Sequence, residues 1–212
     1  MVAGAILFDL DGVLVDSREC VERTWRLWAA ERGLDPELVL REAHGRRTYE
    51  TIARVAPHLD AAAEGARIAM SETGETRGLY EITGARELLE SLPPRCWAIV
   101  TSGIRAVAET RIRHMHLPTP PVLIPADEIT RGKPHPEGYL TAAQRLAIDP
   151  ARCIVVEDAP PGIEAARSAG MRAIGVMGTY PPDALVDADV IVSSVAALRV
   201  SLRGGGMEIL FA

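Results

Sequence analysis

Aromatic side chains are scarce in this sequence, at 4% of 212 residues. That argues against a surface built to stack nucleic-acid bases. A basic excess is missing too. Lys and Arg number 23 against 29 Asp and Glu, a net charge of −6, so no long-range field draws in phosphate polymers. A protein of this balance that handles phosphate must place its cations locally. Cysteine is limited to Cys20, Cys96 and Cys153. An odd, widely spaced set without a CxxC pair indicates reduced thiols packed as small hydrophobes, and argues against a disulfide framework or a zinc site. Long apolar runs are absent as well. Residues 1–10 hold an apolar stretch of only a few residues and no basic leader, and a quarter of all residues are charged. The expectation is a cytoplasmic monomer with no signal peptide, no membrane span and no nucleic-acid partner.

What is present is apolar mass, 48% of the chain, enough for one large domain or for a core with a small companion. Short apolar runs end in polar loops. Ala5-Ile6-Leu7-Phe8 leads into Asp9, Asp11 and Gly12, and Cys96-Trp97-Ala98-Ile99-Val100 into Thr101-Ser102-Gly103. Pro121-Val122-Leu123-Ile124 is a third run. Cys153-Ile154-Val155-Val156 leads into Glu157-Asp158, and two further runs cover 173–176 and 189–192. Such runs read as buried parallel strands. Helical patterns over 85–91, 103–114, 136–146 and 162–169 fall between them, the last closed by Gly170. The alternation predicts an α/β fold, a doubly wound parallel sheet covered on both faces.

One stretch breaks the rhythm. From about 16 to 80 no strand signal is found. An amphipathic helix over 18–32 carries Trp25 and Trp28, and helical segments follow over 49–55 and 60–71 with Pro57 between them. The reading is a small all-helical domain, 16–80, inserted between 1–15 and 81–212 of the α/β core. Thr73-Gly74 and Gly78 mark the returning linker. The tail, Gly204-Gly205-Gly206 followed by Met207 to Phe211, reads either as a flexible end or as an added edge strand.

Ligands of open α/β sheets bind at the carboxyl ends of the strands. There the sequence collects Asp9/Asp11, Thr101/Ser102, the loop with Lys133, and Glu157/Asp158. Each alone has an ordinary explanation as a turn former, a helix cap or a solvated charge. Four carboxylates brought together repel one another. Two unit charges about 4 Å apart interact by about 4 kcal/mol at an effective dielectric near 20. A divalent cation removes that repulsion, and hard oxygen ligands suit Mg²⁺ rather than zinc. Elsewhere the plain readings hold. Trp25 and Trp28 belong to the helical unit or its seam with the core. His114 and His116 are helix-end or surface residues, and His135 is a loop hydrogen bonder. Arg105, Arg111 and Arg113 are the solvated face of one helix.

The run Phe8-Asp9-Leu10-Asp11-Gly12-Val13-Leu14-Val15-Asp16-Ser17 resembles the first motif of the haloacid dehalogenase-like hydrolase superfamily. Thr101-Ser102-Gly103 is similar to its second motif and Lys133, in Arg131-Gly132-Lys133-Pro134-His135-Pro136, to its third. Glu157-Asp158 with Ala159-Pro160-Pro161-Gly162-Ile163 resembles the fourth. The motifs come in the family's order, so the resemblance spans essentially the whole chain. Thr83-Gly84 stands where the family usually has Pro-Gly. The helical insert then resembles the cap that one subgroup carries after its first motif, over a Rossmann-like core.

The resemblance implies a Mg²⁺-dependent phosphatase working through a phospho-aspartate. Asp9 would be the nucleophile and Asp11 the acid/base partner. The metal would be held by Asp9, Asp158 and the carbonyl of Asp11, with Glu157 reaching it through water. Lys133, the Thr101 hydroxyl and the Ser102 and Gly103 amides would hold the phosphoryl oxygens at a helix N-terminus. The cap segment His44-Gly45-Arg46-Arg47-Thr48 would select the substrate through Arg46, Arg47 and Thr48. With the fourth motif and Val100-Thr101-Ser102-Gly103, it resembles the branch of glycerol-phosphate and 2-deoxyglucose-6-phosphate phosphatases. That branch implies a small phosphorylated sugar or polyol as substrate. Two alternatives remain at this stage. One is a phosphosugar mutase of the β-phosphoglucomutase type, whose pattern has a His where Val21 aligns. The other is a catalytically idle binding module, which the intact motif set disfavours.

Overall fold

The structure, a computed structural model, describes residues 1–43, 46–203 and 206–211. In chain order the strands are β1 (Val2–Ala3), β2 (Ala5–Phe8), β3 (Val15–Asp16), β4 (Tyr80–Glu81), β5 (Trp97–Val100), β6 (Leu123–Ile124), β7 (Cys153–Glu157), β8 (Arg172–Val176), β9 (Val190–Val192), β10 (Leu198–Arg203) and β11 (Gly206–Phe211). The α-helices are α1 (Arg18–Arg32), α2 (Pro36–Ala43), α3 (Thr48–Val55), α4 (Ala61–Gly74), α5 (Ala85–Ser91), α6 (Arg105–His114), α7 (Glu137–Leu146) and α8 (Pro160–Ser168). No described helix is long and apolar enough to cross a membrane.

All six predicted strands join one parallel sheet in the order β6-β5-β2-β7-β8-β9. The predicted α/β class therefore holds. The apolar runs are unbroken because both faces are covered. In β2, Ile6 and Phe8 pack with α5 and α6, whereas Ala5 and Leu7 pack with α7 and α8. The same two-residue alternation sends Trp97 and Ile99 of β5 to the first face, and Ala98 and Val100 to the second. The three cysteines are free thiols, Cys20 and Cys153 buried and Cys96 partly so.

Between β2 and α5 the chain leaves the sheet. β3 and β4 pair antiparallel, Val15 with Glu81 and Asp16 with Tyr80, so the outgoing and returning strands lie side by side. The four helices α1 to α4 build their own apolar cluster around Trp25, Trp28, Leu40, Ile52 and Ile68. The two indoles meet edge-on at 5.5 Å, and Trp28 donates to Glu64 at 2.7 Å. Two caps set the helix ends. Gly33 closes α1 in the left-handed conformation at φ 66°, and the Asp60 carboxylate accepts from the amides of Ala62 and Ala63 at the start of α4.

The structure adds elements not anticipated from the sequence. The helix α2 is one, begun by Asp35, whose carboxylate accepts from the Glu37 amide at 3.0 Å. β10, the first strand of a C-terminal hairpin, is another. β10 and β11 pair antiparallel, and β11 also pairs with β1, giving a three-stranded sheet β1-β11-β10. The last strand is thus the middle of a second sheet rather than an addition to the edge of the first. Leu198, Met207 and Ile209 join the cluster on the β2 face that holds Ile6 and Phe8. Gly204 and Gly205 lie outside the described residues.

Candidate active site

Parallel pairing brings the strand ends level. β2 lies between β5 and β7, with Phe8 opposite Ile99 and Val156. The residues that follow these strands therefore emerge at one edge. Asp9, Thr101, Lys133, Glu157 and Asp158 are all buried there. With Asp11, Ser102 and Gly103 they line one cavity, whose roof is Val21, Trp25, Ala43, Arg46, Thr48 and Glu72 of the helical unit.

Lys133 is the organising charge. Its ammonium donates to Asp9, to Glu157 Oε1 at 2.6 Å and to the Val100 carbonyl at 3.2 Å. Three donors meet three acceptors, so none of its protons is idle. Burial alone would lower the Lys133 pKa, but the Asp9 and Glu157 carboxylates raise it well above the ordinary lysine value. Glu157 is equally committed. Its Oε1 accepts from Lys133 and from the Tyr139 hydroxyl at 3.0 Å, and its Oε2 from the amides of Asp158 at 2.9 Å and Ala159 at 3.0 Å. Glycine 162 makes room for it: a Cβ there would sit 1.7 Å from Glu157 Oε1.

The carboxylates outnumber this one cation. Asp9, Glu157 and Asp158 each bring an oxygen within 4.8 Å of the others. Burial, partly offset by Lys133, raises the Asp9 pKa from 3.8 to about 7. Burial, then Glu157 and Asp9, hold Asp158 protonated well above the ordinary carboxylate range, and its hydrogen bond with Thr179 offsets this only in part. Buried oxygens lacking positive charge fit a hard divalent cation. Gly12 completes the cradle at φ 81°; a Cβ on it would lie 1.9 Å from Asp158 Oδ2.

Asp11 lies beside this cluster. Its Oδ1 accepts from the Ser17 hydroxyl at 2.6 Å and its Oδ2 from Arg111 Nη1 at 2.6 Å. Arg111 corrects the sequence reading: it is not on a solvated face. Val107, Ala108, Arg111 and Ile112 are the buried stripe of α6, while Arg113 is exposed and Arg105 pairs with Glu109 and Glu128. Periodicity held the signal, because Arg111 lies four residues after Val107 and three after Ala108. The Gly103 amide also differs from expectation. It donates to Thr101 Oγ1 at 3.0 Å, so it is engaged inside the loop rather than pointed at a ligand, and α6 starts two residues later.

In the helical unit, Arg46 and Thr48 face the cavity, whereas Arg47 turns aside. Its Nη1 donates to the Tyr49 hydroxyl at 2.6 Å and to the Thr130 carbonyl at 3.1 Å. It fits there because residue 132 is glycine, where a Cβ would meet Arg47 Nε at 2.3 Å. His44 and Gly45 lie outside the described residues. His135 Nδ1 accepts from the Glu137 amide at 3.2 Å, the loop role expected of it.

The comparisons with known proteins agree with this arrangement. Residues 3–170 match the family described as haloacid dehalogenase-like hydrolase. The chain belongs to the haloacid dehalogenase-like hydrolases. The resemblance carried by the four motifs is thereby confirmed. Among relatives, Hexitol phosphatase A of Escherichia coli is 40% identical over 94% of this chain and 95% of its own length. Glycerol-1-phosphate phosphohydrolase 2 of Saccharomyces cerevisiae is 35% identical over 92% of this chain and 84% of its own. Among solved structures, β-phosphoglucomutase of Clostridium difficile superposes with a TM-score of 0.77 at 25% identity, over 93% of both chains. This haloacid dehalogenase-like hydrolase thus shares its helical unit as well as its sheet with proteins that handle phosphorylated small molecules.

Proposed function

We propose that this chain, a phosphoric monoester hydrolase of the family, removes phosphate from a small sugar or polyol monophosphate through a phospho-aspartate on Asp9. The observation that carries the reading is the buried set Asp9, Lys133 and Asp158, with Asp11 two residues from Asp9, under a helical roof. The 40% identical hexitol phosphatase and the 35% identical glycerol-1-phosphate phosphohydrolase support the substrate class.

Asp9 attacks phosphorus and forms the acyl phosphate. Lys133 neutralises Asp9, and exchanges its longest contact, to the Val100 carbonyl, for a phosphoryl oxygen. The Thr101 hydroxyl accepts from Gly103 and keeps its own proton to donate. The Ser102 amide supplies a further donor. Asp11 protonates the leaving alkoxide, then takes a proton from the water that opens the phospho-enzyme. The carboxylates of Asp9 and Asp158 and the Asp11 carbonyl would hold Mg²⁺. Bound there, Mg²⁺ would offset the carboxylate charge and polarise the phosphoryl group. Glu157 serves by fixing Lys133.

The roof gives selectivity. Every monophosphate offers the core the same phosphoryl group, so Arg46 and Thr48 meet the part that differs. Val21 in this roof brings no acid-base group, which favours hydrolysis over a mutase. A panel of hexitol phosphates, glycerol phosphates, hexose 6-phosphates, phosphoglycolate and nucleotides, ranked by kcat/KM with Mg²⁺ and with chelator, tests the reading. Polyol and sugar phosphates should lead, and chelator should abolish turnover. A preference for nucleotides or phosphoglycolate, or full activity in chelator, defeats it.

A further inference from the structure

Arg111 is a buried guanidinium at the seam of the two units. It stands on α6 of the core, 4% exposed. Its Nη1 meets Asp11 Oδ2 at 2.6 Å, and its Nη2 faces Glu72 Oε1, on α4 of the helical unit, at 3.6 Å. That Nη2 is buried and makes no hydrogen bond among the described residues. Taking a guanidinium out of water is unfavourable unless charge partners compensate it. A residue whose only task was to join α4 to α6 would do so more cheaply as an apolar side chain.

The partners say what the charge is for. Asp11 has one oxygen tied to Ser17, at the foot of α1, and the other to Arg111, on α6. Two tethers from different elements fix both the position and the plane of a carboxylate. One tether would leave it free to turn. Each Asp11 oxygen keeps a second lone pair for a substrate hydroxyl. Glu72 touches only the far side of the guanidinium, and it belongs to the roof. Whatever moves α4 relative to α6 therefore acts on Arg111, and through it on Asp11.

We propose that Arg111 is the positioning residue of Asp11 and that Glu72 makes this positioning depend on the docked helical roof. The proposal rests on the reading of Asp11 as the acid/base group. Its test compares two leaving groups: the alkoxide of a hexitol or glycerol phosphate, which needs a proton, and p-nitrophenolate, which scarcely does. Arg111→Gln should lower kcat for the polyol phosphate by about 10- to 100-fold, a part of the roughly 10²- to 10⁴-fold that acid-base catalysis supplies, with little change in KM. The loss with p-nitrophenyl phosphate should be several-fold smaller. Arg111→Lys should recover part of it, and Glu72→Gln should show a weaker loss of the same pattern. In an Asp11→Asn background, Arg111→Gln should add nothing.

Thermal melts accompany each variant. Should Arg111→Gln fail to fold, Arg111→Lys and Glu72→Gln carry the comparison. Equal losses with both substrates, a change confined to KM, or additive losses in the double variant would overturn the proposal and leave Arg111 a strut. If Asp11→Asn itself harms both substrates equally, Asp11 is not the acid, and the reading of Asp11 falls together with the inference built on it. A selective loss in Asp11→Asn without one in Arg111→Gln removes the Arg111 assignment alone.

Discussion

At Gly12 the backbone holds φ at 81°, and the space a methyl would fill is occupied by Asp158 Oδ2 at 1.9 Å. A left-handed conformation costs a non-glycine residue roughly 1–2 kcal/mol, and the clash adds to it by pushing Asp158 out of the cluster. Gly12→Ala should therefore lose activity and metal affinity by more than it loses folding stability. Calorimetric Mg²⁺ titration beside a thermal melt separates the two, and an unchanged affinity would contradict the cradle. Lys133 behaves in the opposite way. Lys133→Met leaves Asp9 and Glu157 buried without their cation, and breaking a buried ion pair costs about 3–5 kcal/mol. Its melting temperature should fall by several degrees, and Asp9→Asn in the same chain should restore part of it. The site's members differed in how readable they were. Asp9, Asp11, Thr101, Lys133, Glu157 and Asp158 stand directly after apolar runs or in a loop between them, where topology alone gathers them. Tyr139 and Glu72 were not readable, because each meets the site from a helix whose placement depends on tertiary packing. Arg111 was readable in principle, since the spacing of Val107, Ala108 and Ile112 puts it on the inward stripe. Grouping it with Arg105 and Arg113 by residue type hid that.

Strands in the middle of the sheet announce themselves as four-residue apolar runs, and every one of them was legible. The C-terminal hairpin carries a different signature. Leu198-Arg199-Val200-Ser201-Leu202-Arg203 alternates apolar with polar, then three glycines precede Met207-Glu208-Ile209. That is the pattern of a half-buried hairpin, and only its second half drew notice. The buried members, Leu198, Met207 and Ile209, show which side faces inward. The helix α2 had a comparable signal in Asp35-Pro36, an N-cap followed by proline at the first helical position, with Val39, Leu40 and Ala43 as its buried face. Both elements were lost for the same reason: short amphipathic pieces give weak periodicity until a neighbour supplies the other half of the core. The hairpin's contribution can be measured. Ile209 is 1% exposed and packs in the cluster beneath β2, yet it does not line the cavity. Ile209→Ala should destabilise the protein by about 2–5 kcal/mol in denaturant unfolding while kcat at low temperature stays near that of the parent chain. A null effect on stability would mean that the second sheet is not part of the cooperative core.

Across the whole molecule, the balance of buried and exposed carboxylates sets how stability follows pH. Glu75, paired with Arg77, has its pKa lowered to about 2, and arginine partners or backbone amides also lower Glu64, Glu128 and Glu137. These groups favour the folded state above the ordinary carboxylate range, and that stability is lost as the pH falls below it. The buried acids work in the other direction. Asp9 rises from 3.8 to about 7, and burial also raises Asp158 and Glu72. Between about pH 4 and pH 7 the folded chain therefore binds more protons at Asp9 than the unfolded chain does, and stability falls as the pH rises through that window. A divalent cation opposes the trend, because it binds the ionised carboxylates and stabilises only the state that gathers them. In excess chelator, the melting temperature should decline from pH 5 to pH 8. With millimolar Mg²⁺ it should decline less, so that the gap between the two curves widens with pH. Asp158→Asn should flatten the chelator curve and shrink the gap, since one buried titrating acid and one metal ligand vanish together. A gap that stays constant from pH 5 to pH 8, or a chelator curve that rises, would show that these buried acids are not what the metal relieves.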